Sequence, residues 1–288
     1  MKKISVSAYF FILPAYLFFF AYILYPVFFL GYGSLFNWST LSNRVFVGLG
    51  NYTRIFSDPA FSKILRNTLL WMIITISAQA AIGFTIAYLI EEKIKRFRAF
   101  FRTIFFLPVV SSVVVIAIIW SNIYKPYQGI LMNFLNNFGI PIIDFLGSPD
   151  IAIFSIIIVN IWQWTGWSMV LYIAGIAGLP SEVKDSALVD GAGSLQKIFR
   201  IYLPMLSGIH RTLIMLGILG SLQTFALIYS MTGGGPFHAT EMPATYIFQT
   251  GFMAQQMGYA SAISIVVLLF ALLITAIQIF FHRLHAAV

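Results

Sequence analysis

Cysteine is absent from the sequence, and charged residues are scarce. Without cysteine the chain forms no disulfide and no thiolate metal site. Only 9% of the residues are charged, whereas about a quarter are charged in soluble domains. Apolar residues make up 60% of the chain and aromatic residues 17%. The bilayer is therefore the expected solvent, and the sequence predicts an all-α, polytopic integral membrane protein.

A nucleotide-binding loop of the Walker type is also missing. No stretch matches G-x-x-x-x-G-K-[ST], which excludes an ATP site of that kind in this chain. We find no paired carboxylates, Ser–His arrangement or metal cluster at one membrane face, so an enzyme is disfavoured. We expect no catalytic residue, no metal site and no cofactor bound by the chain itself.

Six apolar segments reach the roughly 20 residues that a helix needs to cross a bilayer. Because lipid offers no partner to free backbone groups, each segment is predicted to be helical. Pro108 lies in the third and is expected to kink it. Apolarity in the first continues too far for a cleaved signal peptide, so we expect an uncleaved span. The predicted spans are residues 9–34, 68–90, 103–124, 151–178, 206–230 and 257–281.

Lysine and arginine are unevenly shared between the predicted loops. If the N-terminus is inside, 12 of the 17 lie on the cytoplasmic side and the other five outside. This bias predicts cytoplasmic N- and C-termini and a cytoplasmic position for residues 179–205. The basic run from Lys93 to Arg98 is then explained by anionic lipid at the membrane surface. The net charge of +8 therefore does not indicate a nucleic-acid partner.

A polar segment at residues 179–205 separates the fourth and fifth spans. Ser181 suits the start of a short helix, Gly191 interrupts it, and Ser194 is a suitable N-cap for a second helix. The pattern predicts a helix–turn–helix at the membrane face, with a first helix short enough to fit a groove on another protein. An ordinary cytoplasmic loop with sensible caps is the alternative.

The residue order in this segment resembles the loop by which importer permeases of the ATP-binding-cassette (ABC) class hold their ATPase. Asp185-Ser186-Ala187 stands where that family has Glu-Ala-Ala, and Gly191 follows at the family's spacing. Asp185 and Ser186 depart from the pattern but keep charge or size. The coupling residues implied by the resemblance are Glu182, Asp185, Ser186, Ala187, Gly191, Ile201, Leu203 and Pro204.

Further motifs make the chain similar to permeases of carbohydrate ABC importers, the maltose-permease-like group. Residues 46–52 (FVGLGNY) resemble that group's segment after the first span. Residues 232–236 (TGGGP), followed by Thr240, resemble its external loop after the fifth span, and Asn67-Thr68 fits the start of the second. The resemblance therefore covers most of the chain.

This resemblance implies a type I ABC importer permease fold, with residues 1–288 forming one transmembrane domain. It implies four kinds of partner: a second homologous permease, two ABC ATPase subunits, an extracytoplasmic sugar-binding protein and the lipid bilayer. ATP and Mg would be used by the partner ATPase rather than by this chain. The implied location is the cytoplasmic (inner) membrane of a bacterium or archaeon. The implied function is ATP-driven sugar import by alternating access, with an oligosaccharide favoured.

Polar and aromatic residues inside two spans mark a candidate substrate pathway. Asn160, Trp164 and Trp167 fall at i, i+4 and i+7, so they share one helix face. In the fifth span Gly217, Ser221 and Thr224 also share a face. Indole faces stack on sugar C–H surfaces, and amides pair with hydroxyls. An interfacial tryptophan belt and small-residue helix packing are the alternatives.

Two rival functions stay open at this stage. An ion-coupled secondary transporter usually needs ionisable groups at membrane depth, which the cores of the six spans lack. An importer of the same class could instead carry glycerol phosphate, a peptide or another small solute. Phosphate would favour arginine or lysine beside the path, and their absence from the span interiors favours a neutral sugar.

Overall fold

A computed structural model describes residues 6–39, 44–94 and 96–286, with the side chains of residues 6–10, 188 and 281–286 left out. Helices account for nearly all of the regular structure, as the all-α prediction requires. The exception in the described ranges is a pair of two-residue antiparallel strands, β1 (Phe36–Asn37) and β2 (Val45–Phe46). Lys2, Lys3 and Lys95, on which part of the predicted orientation rests, lie outside the described residues.

Packing divides the chain into two compact units. The first combines residues 1–62 with residues 246–288, and the second comprises residues 63–245. The single permease domain predicted for residues 1–288 stays a prediction.

The first unit holds the first and the last predicted spans. Two helices joined by a π-helical turn form the first span, and a 30-residue helix forms the last. A small core joins the last helix to the external segment. The core residues are Ile55, Phe61, Tyr259, Ala262 and Ile263. The helices are α1 (Val6–Phe19), α2 (Tyr25–Gly33), α3 (Gly50–Ser57) and α15 (Met257–Ala286).

The 46–52 motif has a structural role in this unit. The buried Asn51 amide donates hydrogen bonds to the carbonyl oxygens of Ser34, at 2.8 Å, and Phe36, at 3.0 Å. The Tyr52 hydroxyl lies 2.7 Å from the Ser34 hydroxyl. These bonds fasten the external segment to the end of the first span, because buried backbone carbonyls need partners.

Asp58 fixes the next turn of the same unit. Its carboxylate accepts hydrogen bonds from the hydroxyls of Tyr246, at 2.6 Å, and Tyr259, at 2.7 Å. Partial burial acts to raise the pKa of Asp58, but these bonds and two backbone amides outweigh it and lower the pKa.

The second unit is built around α4 and α8. α8 contributes to one apolar cluster with Ile153 to Val159 and to another with Met169 to Ile176. α4 does the same through Trp71 and Phe84. The helices are α4 (Pro59–Tyr88), α5 (Arg98–Val110), α6 (Val113–Ile123), α7 (Ile130–Asn136), α8 (Ala152–Ala177), α9 (Ser181–Val189), α10 (Ser194–Lys197), α11 (Leu203–Met205), α12 (Ser207–Leu222) and α13 (Ala226–Met231). α14 (Pro243–Phe248) runs across the boundary between the units.

Two predicted spans are interrupted rather than continuous. In residues 103–124 the chain bends by 95° between α5 and α6, at Ser111-Ser112. Pro108 lacks an amide donor in the last turn of α5, and the Ser111 hydroxyl donates to the Leu107 carbonyl at 3.0 Å. Both effects weaken the helical hydrogen-bond ladder at this point.

The fifth predicted span, residues 206–230, also ends early. α12 stops at Leu222, and α13 begins only at Ala226. The Thr224 hydroxyl donates to the Gly220 carbonyl at 2.9 Å. That bond competes with the backbone for the carbonyl, so the chain leaves the helix where polar residues accumulate.

The described helices include four that are long and apolar enough to cross a membrane. The number is six if two bent pairs each count as one span: α5 with α6, and Ser194–Met205 with α12, which meet at 66°. The predicted number of six and the side of each terminus therefore stay predictions. The four are Phe11–Gly33, Pro59–Lys93, Ala152–Ala177 and Met257–Phe280.

Candidate functional site

Residues 179–205 form the helix–turn–helix that the sequence predicts; we call them the coupling segment. α9 ends at Val189, and the turn passes through Gly191, whose φ of +67° is costly for residues with a side chain. The second arm runs from α10 through a π-helical turn to α11. The prediction that Ser194 caps this arm is wrong. Gly193 is the N-cap residue, and its amide donates to the Gln196 side chain at 3.0 Å.

The predicted coupling residues differ in exposure. Glu182, Asp185 and Ser186 are exposed on α9, whereas Ala187 is buried. Gly191 is exposed at the turn. In the second arm Ile201 and Leu203 are half-buried, and Pro204 is exposed near the entry to α12. α9 therefore presents an acidic, polar surface and keeps one small apolar side chain against the protein.

Both arms of the coupling segment are tied to the end of α4. Lys184 donates to the Ile176 carbonyl at 3.0 Å, and its ammonium lies 3.9 Å from the Glu92 carboxylate. Lys93 donates to the Ser194 hydroxyl at 3.1 Å. These contacts join α9 and α10 to the π-helical turn Leu89–Lys93.

An aromatic and hydrogen-bonded connection links the second arm to α8. Tyr202 is buried and packs edge-on against Tyr88, with ring centroids 5.5 Å apart. His210 Nε2 lies 2.9 Å from the Leu203 carbonyl, and Nδ1 lies 2.8 Å from the Tyr172 hydroxyl. Because a carbonyl only accepts, Nε2 donates to Leu203. In the neutral imidazole, Nδ1 then accepts from the Tyr172 hydroxyl.

A second feature is a cavity of about 390 Å³ along α4, α8 and α12; we call it the polar cavity. All six residues predicted for the substrate pathway line it. Its walls carry 20 residues, and none of them is acidic or basic. The predicted pathway residues are Asn160, Trp164 and Trp167 from α8, and Gly217, Ser221 and Thr224 from the fifth predicted span.

Several of the cavity's polar groups are already occupied within the chain. Gln79 donates to the Asn160 side-chain oxygen at 2.9 Å, which connects α4 to α8. The Ser221 hydroxyl donates to the Gly217 carbonyl at 2.7 Å, within α12. A Cβ on Gly217 would lie 2.6 Å from Ile76 Cγ1, so glycine allows α12 to approach α4 closely.

Gln79, Gln163 and Gln223 also line the cavity, and the predicted pathway omits them. Gln163 follows Asn160 by three residues, so it belongs to the same stripe of α8. A search of the apolar spans for isolated amides would have found Gln79 and Gln163. Because α4 and α8 are far apart in the sequence, the sequence does not show that Gln79 and Gln163 line the same cavity.

The motifs around Thr232 and Thr240 form one external cluster. Thr240 donates to the Gly235 carbonyl at 2.8 Å, and its oxygen lies 2.7 Å from that of Thr232. Asn67 donates to the Glu241 carbonyl at 3.1 Å. Burial raises the pKa of the Glu241 carboxyl, although bonds from Thr245 and His238 act in the opposite direction.

Comparison with known proteins gives the family. Residues 79–286 match the family described as "Binding-protein-dependent transport system inner membrane component". The chain belongs to this family. The matched region contains the coupling segment and all six predicted pathway residues.

Relatives of this permease family align along nearly the whole chain. The chain is 37% identical to the probable ABC transporter permease protein YurN of Bacillus subtilis (strain 168), over 97% of each chain. It is 28% identical to the multiple sugar-binding transport system permease protein MsmF of Streptococcus mutans serotype c, over 88% of each.

A solved structure has the same permease fold. It is a chain of a bacterial alginate ABC transporter in complex with an alginate pentasaccharide-bound periplasmic protein. The TM-score is 0.83 at 24% identity, over 94% of this chain and 92% of that chain. This likeness bears out the predicted type I importer permease fold.

Proposed function

We propose that the chain is the transmembrane permease subunit of an ATP-driven, binding-protein-dependent importer of neutral sugars, with oligosaccharides favoured. The observation that carries the proposal is the polar cavity. It brings two tryptophans and several amides and hydroxyls together on walls without charge. Family membership supports the transport role, and the relative described as a sugar-binding system permease supports the cargo class.

The chemistry of the cavity suits a sugar without charge. Trp164 and Trp167 are 38% and 41% exposed, so their ring faces are available for contact. Indole rings stack on the C–H faces of sugars, while amides and hydroxyls match sugar hydroxyls. A phosphate or uronate would favour arginine or lysine in the wall, and the 20 lining residues include neither.

The coupling segment suits a soluble partner. Exposed apolar side chains on its outer surface include Val189, Leu195 and Phe199, which are 87%, 71% and 65% exposed. Asp185 lies exposed one turn before Val189. Val189 lies on α9, whereas Leu195 and Phe199 lie on the second arm. The two arms together present apolar side chains beside an acidic group, which suits a groove on another protein. We assign this surface to an ABC ATPase subunit that hydrolyses ATP with Mg.

The remaining partners follow from the same proposal. A second, similar permease would complete the pathway, and an extracytoplasmic binding protein would deliver the sugar. The alginate transporter described above was solved with such a periplasmic protein bound. The chain would lie in the cytoplasmic (inner) membrane of a bacterium or archaeon. Alternating access would follow from ATP-driven closure of the ATPases, transmitted through the coupling segment to α4 and α8.

Transport in proteoliposomes tests this function. The chain is reconstituted with its cognate permease, ATPase and binding protein. Uptake is measured for labelled maltose, cellobiose and raffinose, with an alginate trisaccharide and glycerol 3-phosphate as the charged counterparts. We expect at least one neutral sugar to accumulate only with internal Mg-ATP and external binding protein. Uphill uptake by the chain alone on a proton or sodium gradient would overturn the proposal. So would ATP-driven uptake of glycerol 3-phosphate but of none of the neutral sugars.

A further inference from the structure

Gln163 lines the polar cavity, and its side-chain amide is buried without a hydrogen-bond partner among the described residues. It is 0% exposed, it lies on α8 between Asn160 and Trp164, and it lines the cavity. Among the residues that the structure describes, neither its Nε2 nor its Oε1 has a hydrogen-bond partner. Buried polar side chains are nearly always paired, because an unpaired one has lost its hydrogen bonds to water without replacement. A fully unpaired amide at the wall of a cavity therefore indicates a ligand.

Other polar groups of the cavity do not share this condition. The Thr75 hydroxyl donates to the Trp71 carbonyl at 2.8 Å, and Thr224 donates to Gly220 at 2.9 Å. Asn160 accepts from Gln79 at 2.9 Å. Gln163 thus keeps both a donor and an acceptor available at one place. Two adjacent sugar hydroxyls match this pair, since one can accept from Nε2 while the other donates to Oε1.

We infer that Gln163 is a specificity-determining residue of the pathway. Its amide forms hydrogen bonds with one pair of adjacent hydroxyls on the sugar. The inference rests on the proposed function and deepens it. Trp164 and Trp167 contact ring faces that most sugars share, so they give affinity without distinguishing one sugar from another. The amide distinguishes sugars, because a missing hydroxyl leaves Gln163 unpaired again.

Transport of deoxy sugars tests the inference. Wild type and Gln163→Leu are compared in the full complex, using whichever of the three labelled sugars wild type carries fastest and the monodeoxy analogues of that sugar. We expect wild type to prefer the parent sugar by about tenfold over at least one analogue, and Gln163→Leu to reduce this ratio to about twofold. Thr165→Val is the matched control, since Thr165 is buried on α8 but donates to the Ile161 carbonyl at 2.6 Å. The control should keep the tenfold preference.

Thermal unfolding of the complex without sugar separates recognition from a structural role. Leucine has nearly the volume of glutamine and leaves no polar atom unpaired, so we expect Gln163→Leu to raise the melting temperature. A lowered melting temperature with unchanged sugar preference would show that Gln163 serves the fold, and would overturn the inference. Wild type that carries no neutral sugar would overturn both the function and the inference. Normal transport with an unchanged preference in Gln163→Leu would overturn the inference alone.

Discussion

The coupling segment and the polar cavity differ in the kind of side chain that they use. The segment exposes most of its predicted coupling residues and is held in position by charged groups, Lys93, Lys184 and Glu92. The cavity is lined by aromatic, amide and hydroxyl side chains and has no charged group in its wall. Protein partners are bound by exposed surfaces that stay well solvated, whereas a small neutral ligand needs a recessed wall with few oriented polar groups.

This difference predicts which substitutions should impair the function of each region. The segment depends on backbone shape and on surface charge, so its function should be sensitive to one glycine and tolerant of single lysines. The cavity depends on particular side chains, so individual ring or amide removals should matter. Tyr172 and His210 lie between the two regions and should affect how well one drives the other.

The largest effect is expected from Gly191→Val. A β-branched residue is strained at φ of +67°, and nothing lies within 4 Å of a Cβ there, so the change acts through the backbone alone. A cost of 1–3 kcal/mol predicts about 30-fold weaker association with the ATPase. Co-purification with the ATPase measures it. Gly193→Ala is the control, because Gly193 has an ordinary φ of −66°. Equal association in both variants would show that the backbone conformation at Gly191 is not required for binding of the ATPase.

The next effect is expected in the cavity, from Trp164→Ala. Loss of the stacking surface should lower sugar uptake by about tenfold while the amount of protein in the membrane stays the same. Trp162→Ala is the matched control. Trp162 is on the same helix and 46% exposed, but it packs against Trp120 at 5.6 Å and is not among the cavity residues. A loss of uptake equal in both variants would remove Trp164 from the pathway.

A smaller effect should follow from Tyr172→Phe. This change removes the hydroxyl that donates to His210 and leaves the ring in place. One hydrogen bond is worth about 1 kcal/mol, which predicts roughly fivefold more ATP hydrolysed per sugar carried, with sugar preference unchanged. The ratio of ATPase activity to uptake in proteoliposomes gives the result. A changed sugar preference would mean that Tyr172 takes part in sugar recognition rather than in the connection between the coupling segment and α8.

The smallest effect is expected from Lys184→Met. Its ion pair with Glu92 spans 3.9 Å, and it also donates to the Ile176 carbonyl at 3.0 Å. Such contacts at a partly exposed position contribute about 0–1 kcal/mol. Uptake should fall by less than about fivefold, and the effect should become smaller at high salt. Arg200→Met, at an exposed position of the other arm, provides the comparison. A tenfold loss for Lys184→Met alone would mean that the segment depends on this tie more than on its turn.

The sequence is sufficient for those features that depend on local pattern. Long uncharged stretches identify α8 and α15, and Gly191 with Ser181 identifies the helix–turn–helix. Helical spacing identifies Asn160, Trp164 and Trp167 as one face. These features require only a neighbour three or four residues away, and the structure has each of them at the predicted place.

Features that depend on packing against a distant segment escape the sequence. Pro108 predicts a kink in the third span, but hydropathy has no contrast inside uncharged stretches. Hydropathy therefore predicts neither the 95° size of the bend at Ser111-Ser112 nor the end of α12 at Leu222. The burial of Ala187 on α9 depends on the residues that pack against it. Gln163 looks like any polar residue in a span until its surroundings are known to offer no hydrogen-bond partner.

The most direct test asks whether the ATPase, acting through the coupling segment, changes access to the polar cavity. The chain has no cysteine, so Thr224→Cys introduces a single thiol in the cavity wall. Its reaction with a membrane-impermeant maleimide is timed in the full complex, with and without trapped nucleotide on the ATPase. We predict that trapping changes the rate and that adding Gly191→Val abolishes the change. An equal change in the complex carrying Gly191→Val, or in the chain without any ATPase, would contradict the account.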